Sequence, residues 1–316
     1  MPNLASSKRV AMYLDALCIS DYVAMNQGMF EATGAVHSVF RASLNVVLDG
    51  FLLHIGSTEA ALSCLGIAVS VQGVSTLVDL VEPGDRAAVR SGRLRLYGRS
   101  DIVEIDLVSA PIRGLSVPVA TVPLEEEVDI PLCRELSELG LSARIGLPWD
   151  ENAARSLAGL ARLSAVCRAA RDAERLGEPA PRVRIDAALR GTASSIAYLL
   201  GRGLGLTPSG DDVLCGFGCG LCYLWRRGAL GCAGWGAYTS MLLDMLPGKT
   251  TAVSEAYLRA MCAGLANEDY IEMLASIDAS GTFEIQDHFE KILAIGHTSG
   301  ADSLLGFGAA FGCVNI

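Results

Sequence analysis

Ten residues, Gly203-Leu204-Gly205-Leu206-Thr207-Pro208-Ser209-Gly210-Asp211-Asp212, stand directly before an apolar, helix-compatible segment. Gly203, Gly205 and Gly210 let the backbone approach a ligand closely and turn several N–H groups into one concavity. The helix start behind them carries about half a positive charge. Phosphate and carboxylate bind at such places. Arg202 precedes the loop and can add a full charge, and Thr207 and Ser209 add hydroxyls. The chemistry this pattern fits is the capture of a small anion.

The same residues have a purely structural reading. A serine at an N-cap accepts from an early helix N–H, and an acid three residues on reaches back to the cap. Ser209 with Asp212 fits such a box, and so does Ser299 with Asp302. Asp211 is spare to the cap and would repel an anion. It would therefore hold a cation, orient Arg202 or handle a proton. A divalent cation at Asp211/Asp212 is one such use.

The two boxes belong to a repeat. Ser209 to Gly218 and Ser299 to Gly308 lie 90 residues apart and agree at seven of ten positions. Glycines inside helices cost about 1 kcal/mol each relative to alanine. Close packing of the two helices would account for Gly216, Gly218, Gly220, Gly306 and Gly308. Helices packed in that way would aim their starts, Thr298, Ser299 and Gly300 included, into one site.

His297 is the only one of four histidines in a Gly/Ser/Thr turn at a helix start. It is a candidate general acid or base, with a satisfied structural histidine as the alternative. Asp211, Asp212 and His297 are the candidate catalytic residues. Lys249, Thr250 and Thr251, ahead of Ser254, can bind an oxyanion or cap a helix. His37, Ser38 and Asn45 are polar groups on expected strands and read as ordinary surface or core residues.

Other signatures are missing: no Walker A, no nucleophile elbow, no HExxH and no GxGxxG between a strand and a helix. The formal charge is −10, without a basic run, which disfavours nucleic acid. Residues 1–25 lack an apolar signal core, and the longest strongly apolar stretch, Val213 to Trp225, is too short to span a bilayer. A cytoplasmic protein without membrane partners is expected, so the ten cysteines would be free. Cys215, Cys219 and Cys222 fall on one helix stripe and read as small core residues. Mean hydropathy is +0.38 with 19% charged residues, a thin polar surface that points to subunit contacts, a homo-oligomer among them.

These residues need elements to position them. The first third reads as β: 36–40, 44–48, 51–55, 67–71, 77–81, 93–97 and 102–108, with an Asp49-Gly50 hairpin. Prolines 111, 118, 123 and 131 and the acidic Glu125-Glu126-Glu127 mark a connector. From Glu151 the pattern is helical, with segments near 153–175, 185–200, 211–227, 237–245, 254–263, 270–277, 285–295 and 299–311. The expectation is an α+β chain: a β-rich unit, sandwich or barrel-like, over 1–125, then a mostly α-helical domain over 126–316.

The segment from Gly203 to Asp212, Thr250-Thr251 with Ser254, and Gly296 to Gly300 with Asp302 resemble the AllH (YlbF-like) family. Val36 to Phe40 and Asn45 extend the likeness loosely. The family often has Arg where this chain has Lys249, and Pro-Gly where it has Leu204-Gly205. The resemblance implies a subunit of oxamate carbamoyltransferase, which ends anaerobic allantoin breakdown by converting oxalurate and phosphate to oxamate and carbamoyl phosphate. It also implies an FdrA-like partner and a third subunit. All these substrates are small anions, as the loop chemistry requires, and a row of N–H donors would stabilise charge on the carbamoyl or phosphate oxygen. A non-catalytic assembly subunit, or a hydrolase or lyase of a related ureido compound, are the alternatives.

Overall fold

The computed structural model describes residues 11–26, 31–119, 129–179, 182–280 and 285–313. Glu125-Glu126-Glu127 and Pro123 lie outside them. The described residues form two compact units, Met1–Leu115 and Ser116–Ile316.

The first unit is one curled sheet, a half-barrel, of ten strands among the described residues. In chain order they are β1 (Ala11–Asp15), β2 (Cys18–Ser20), β3 (Thr33–Val39), β4 (Leu44–Leu48), β5 (Phe51–Ser57), β6 (Gly66–Val69), β7 (Arg86–Arg90), β8 (Arg93–Tyr97), β9 (Ile102–Asp106) and β10 (Ile112–Arg113). The order across the sheet is β1-β9-β8-β7-β3-β4-β5-β6-β2-β10. Asp49 and Gly50 both take positive φ and close the β4–β5 hairpin, as their types demand. Alternate residues such as Leu44, Val46 and Leu48 bury into a common core with Leu53, Ile55, Leu94 and Ile105.

One expected strand is a helix. Residues 77–80 belong to α2 (Val71–Leu80), with Val81 as its C-cap, and α2 follows a short α1 (Asp21–Met25). Ser70 caps α2 by accepting from the Gly73 N–H, and Val74 and Leu77 bury one stripe. The β-branched composition of 77–81 concealed a 3.6-residue period that starts earlier.

The second unit is helical: α3 (Asp129–Glu138), a 3-10 turn at Leu141–Ala143, α4 (Glu151–Arg175), α5 (Arg182–Leu199), α6 (Ser209–Arg226), α7 (Cys232–Met245), α8 (Ala252–Cys262), α9 (Glu268–Ser280), α10 (Ile285–Leu293) and α11 (Ser299–Ala310). None of the described helices is long and apolar enough to cross a membrane. Cys219 and Cys222 are buried in the core of this unit, beside Phe217, Leu221 and Phe307. The expectation of wholly free cysteines fails at one pair: Cys133 on α3 is disulfide-bonded to Cys313, with Cα atoms 5.1 Å apart. The partners are 180 residues apart, so chain spacing gave no sign of the bond.

The repeated helices α6 and α11 pack directly together. A Cβ on Gly216 would lie 1.8 Å from the Ser303 carbonyl oxygen, and one on Gly306 would lie 1.9 Å from that of Val213. Gly216 and Gly306 are equivalent in the repeat, and so are Val213 and Ser303. The contact is therefore reciprocal, and only glycine allows the two backbones to meet. The crossing also brings the starts of the two helices side by side, since Thr207 Oγ1 and Ser299 Oγ are 3.2 Å apart.

Candidate functional site

Two loops and one helix start build the site around the α6–α11 pair. The loop before α6 is locked by its own turn: the Gly210 N–H donates to the Arg202 carbonyl at 2.8 Å. Gly203 takes φ +123°, and a Cβ there would lie 2.6 Å from the Ser209 nitrogen. The second loop repeats the device, with the Gly300 N–H donating to the Ile295 carbonyl at 3.1 Å. Both glycines also press on the preceding helix end: a Cβ at either would fall 2.0 Å from the carbonyl of Leu199 or of Ile292. Thus Gly210 and Gly300 spend their N–H groups inside the fold and do not offer them to an anion.

The capping boxes expected from the sequence are not formed. Pro208 and Thr298 stand at the N-caps, neither with a side-chain cap bond, and Ser209 and Ser299 are already the first helical residues. The pairing crosses over instead. The Ser209 hydroxyl reaches Asp302, and the Ser299 hydroxyl reaches Asp212. The near contact of the helix starts makes the neighbour's carboxylate a closer acceptor than the serine's own helix.

Asp302 is fully buried and well served. The Gly146 and Leu147 N–H groups both donate to it at 3.1 Å, and the Ser209 and Thr298 hydroxyls reach it too. Gly146 lies so close to Thr298 and Ser209 that a Cβ would fall 2.4 Å and 2.6 Å from their hydroxyl oxygens. Burial still raises the Asp302 carboxyl above the usual range. Sequence reasoning missed Gly146 and Leu147, which sit in an irregular turn 155 residues or more from their partner.

Asp212 is the poorer twin. The Ser299 and Thr207 hydroxyls approach its carboxylate, yet its Oδ2 is buried with no hydrogen-bond partner among the described residues. Burial first, then the negative charges of Asp302 and Asp211, push this carboxyl from 3.8 up to about 8. A carboxyl so raised is protonated at neutral pH and can donate.

Asp211 takes a different course. It is 1% exposed, and its oxygens accept from the Gly201 N–H at 2.7 Å, the Ser254 hydroxyl at 2.7 Å and the Thr250 hydroxyl. One of these donors lies on Oδ1 and two lie on Oδ2, which leaves Asp211 little acceptor capacity for a cation shared with Asp212. Among the described residues no group of three or more His, Cys, Asp or Glu is arranged for a metal ion. Asp211 also does not orient Arg202, whose guanidinium lies over the Tyr198 ring. What Asp211 does is tie three segments together: the loop at Gly201, the Thr250 turn and the first turn of α8. Thr251 adds a second tie by capping α8 through the Ser254 N–H and donating to the Leu206 carbonyl.

The rim carries the remaining candidates. Lys249 and His297 are exposed, His297 one residue before Thr298. Gly205, at φ +92°, has open space around its Cβ position, and Leu204 beside it is 93% exposed. The structure therefore gathers Arg202, Gly205, Thr207, Ser209, Gly210, Asp211, Asp212, Lys249, Thr250, Thr251 and the 297–302 segment onto loops and helix starts that touch one another. His37, Ser38 and Asn45 lie elsewhere, in the first unit. Asn45 Nδ2 donates to Ser38 at 3.0 Å, and His54 Nδ1 pairs with Asn45 Oδ1 at 2.9 Å, a polar ladder across three strands.

Residues 199–311 match the family model described as oxamate carbamoyltransferase subunit AllH. The match runs from the last residue of α5 to the end of α11 and contains the loops on both sides of the α6–α11 pair. No solved structure matches the chain significantly.

Proposed function

We propose, from the match of residues 199–311 to the AllH family model, that this chain is an oxamate carbamoyltransferase subunit whose α6–α11 site works on oxalurate. In that reaction a phosphate oxygen attacks the carbamoyl carbon. The bond from that carbon to the oxamate nitrogen breaks, and the departing nitrogen takes up a proton. The products are carbamoyl phosphate and oxamate.

The observation that carries the reading is Asp212. A carboxyl held protonated near neutrality, with an oxygen that has no partner among the described residues, is suited to deliver the proton to the departing nitrogen. It regains one from the incoming phosphate. Arg202 and Lys249 face the negative charge of substrate and phosphate, and His297 stands at the rim as a second proton carrier. The Thr207, Thr298 and Ser299 hydroxyls lie beside the carboxyl pair and can hold the polar groups of the substrate.

A role as one subunit of a complex also fits the distribution of donors. Gly210 and Gly300 have used their N–H groups internally. The donors that stabilise charge on the carbamoyl oxygen then come from other groups of these loops or from partners, the FdrA-like chain and a third subunit. This favours a site completed in the complex, and it is also the observation that favours the second reading, an assembly subunit without chemistry of its own.

The test is phosphate-dependent formation of carbamoyl phosphate from oxalurate, with the chain alone and with both partners. Turnover with partners, lost on Asp212→Asn while the complex still assembles, supports the proposal. No turnover with all partners present sinks it. Turnover unchanged in Asp212→Asn leaves the assembly reading.

A further inference from the structure

Arg202 sits where α5 ends, between Gly201 at φ +73° and Gly203 at φ +123°. Its carbonyl is held by the Gly210 N–H, so its backbone is fixed to the start of α6. Its side chain folds back one turn along α5. Nε donates to the Tyr198 carbonyl at 3.1 Å, and the guanidinium carbon lies 3.8 Å over the Tyr198 ring. The ring is itself anchored, since its hydroxyl donates to Asp150 Oδ1 at 2.8 Å. Asp150 is the N-cap of α4 and accepts from the Ala153 N–H at 2.7 Å.

A basic side chain at a helix end commonly serves only to satisfy the last carbonyls. That role uses Nε alone. The two terminal nitrogens of Arg202 have no ion-pair partner among the described residues, although Asp150 lies near enough to act on it through space. A guanidinium stacked on an aromatic ring keeps its plane, and its free edge then presents two parallel N–H donors. Planar carboxylates match such a fork; tetrahedral phosphate also binds it but depends less on the plane.

We infer that Arg202 is the carboxylate clamp of this site, and that Tyr198 and Asp150 are positioning residues that hold its plane. The inference rests on the small-anion reading above and assigns the organic acid end of the substrate, rather than phosphate, to Arg202. Lys249, a flexible point charge on the exposed turn, is left for phosphate.

Calorimetric titration of the full chain with oxamate and with inorganic phosphate, repeated on the complex with its partners, tests it. Arg202→Gln is expected to weaken oxamate binding about 10- to 100-fold, the range for hydrogen bonds to a charged group. Arg202→Lys keeps the charge and loses the fork, so oxamate binding falls while phosphate binding stays within about threefold. Tyr198→Leu removes the stack and lowers oxamate affinity about tenfold, and Tyr198→Phe, which keeps the ring, restores it to within about threefold. Melting temperatures are recorded alongside, so a folding defect shows as a fall in both ligands together with stability.

Oxamate affinity unchanged in Arg202→Gln overturns the clamp while leaving the anion site standing. A Tyr198→Phe variant as weak as Tyr198→Leu overturns the positioning role of the ring. If neither probe binds the unaltered chain or the complex, the anion site fails, and the clamp with it.

Discussion

Asp212 and Asp302 hold equivalent positions in the two repeats, yet Asp302 receives two backbone N–H groups from Gly146 and Leu147 and Asp212 receives none among the described residues. One turn of chain thus makes a nearly symmetric pair unequal. The unserved member is the one whose carboxyl rises to about 8.

That rise has a stability signature. The folded chain keeps a proton on Asp212 that the unfolded chain releases near pH 4. Stability therefore falls as pH rises from about 4 to about 8. Asp212→Asn removes this slope. Above pH 8 the variant is expected to be the more stable protein, by roughly 2–4 kcal/mol at 1.4 kcal/mol per unit with allowance for partial solvation. Melting curves of both proteins between pH 4 and 9 decide the matter; parallel curves would show that Asp212 titrates normally.

Asp211 is expected to act on stability first. Asp211→Ala leaves the Gly201 N–H and the Thr250 and Ser254 hydroxyls without their shared acceptor, at a cost of about 2–4 kcal/mol. Urea unfolding measures this directly. A loss under about 0.5 kcal/mol would mean that the three segments do not depend on the carboxylate.

The helix crossing makes a sharper demand. Gly216→Ala and Gly306→Ala each force a methyl group onto a carbonyl of the facing helix and are expected to destabilise by about 3 kcal/mol or more. Gly236 lies within α7 with nothing near its Cβ position. Gly236→Ala is therefore expected to stabilise by about 0.5–1 kcal/mol, the helix-propensity gain. Equal effects at all three positions would contradict the backbone contact.

In the first unit the pH dependence runs the other way. Burial lowers the His54 imidazole from 6.5 to about 4. The unfolded chain takes up a proton near pH 6.5 that the folded sheet refuses, so stability is present above that value and lost as pH falls toward 4. Hydrogen exchange of the β4 and β5 amides at pH 7 and pH 5 is expected to show faster opening at pH 5. In His54→Gln the two rates should differ no more than the intrinsic exchange chemistry requires. A persisting difference would place the sensitivity elsewhere.

Local signals in the sequence are legible where one segment decides the outcome. The Asp49-Gly50 turn, the helical second half and the packing role of Gly216 and Gly306 all follow from residue types at short range. The serines and carboxylates of the repeat are legible as important, but their pairing is not. Within one helix start Ser209 and Asp212 look like a capping pair, and only the approach of α11 redirects each serine to the opposite carboxylate. Gly146 and Leu147 gave no signal, because two backbone N–H groups in an irregular turn look like any others. The strand expected at 77–81 failed for a related reason: its valines and leucines suit either state, and the cap at Ser70 decides.

The bond between Cys133 and Cys313 turns most of the helical unit into a covalent ring. A protease that cuts that ring once, at any loop between the two residues, opens it without freeing a fragment. The severed pieces travel as one species until a thiol is added. Digestion under non-reducing conditions thus conceals a first cut in this unit that reduction reveals, and the loops around the carboxyl pair stay tethered after their chain is broken.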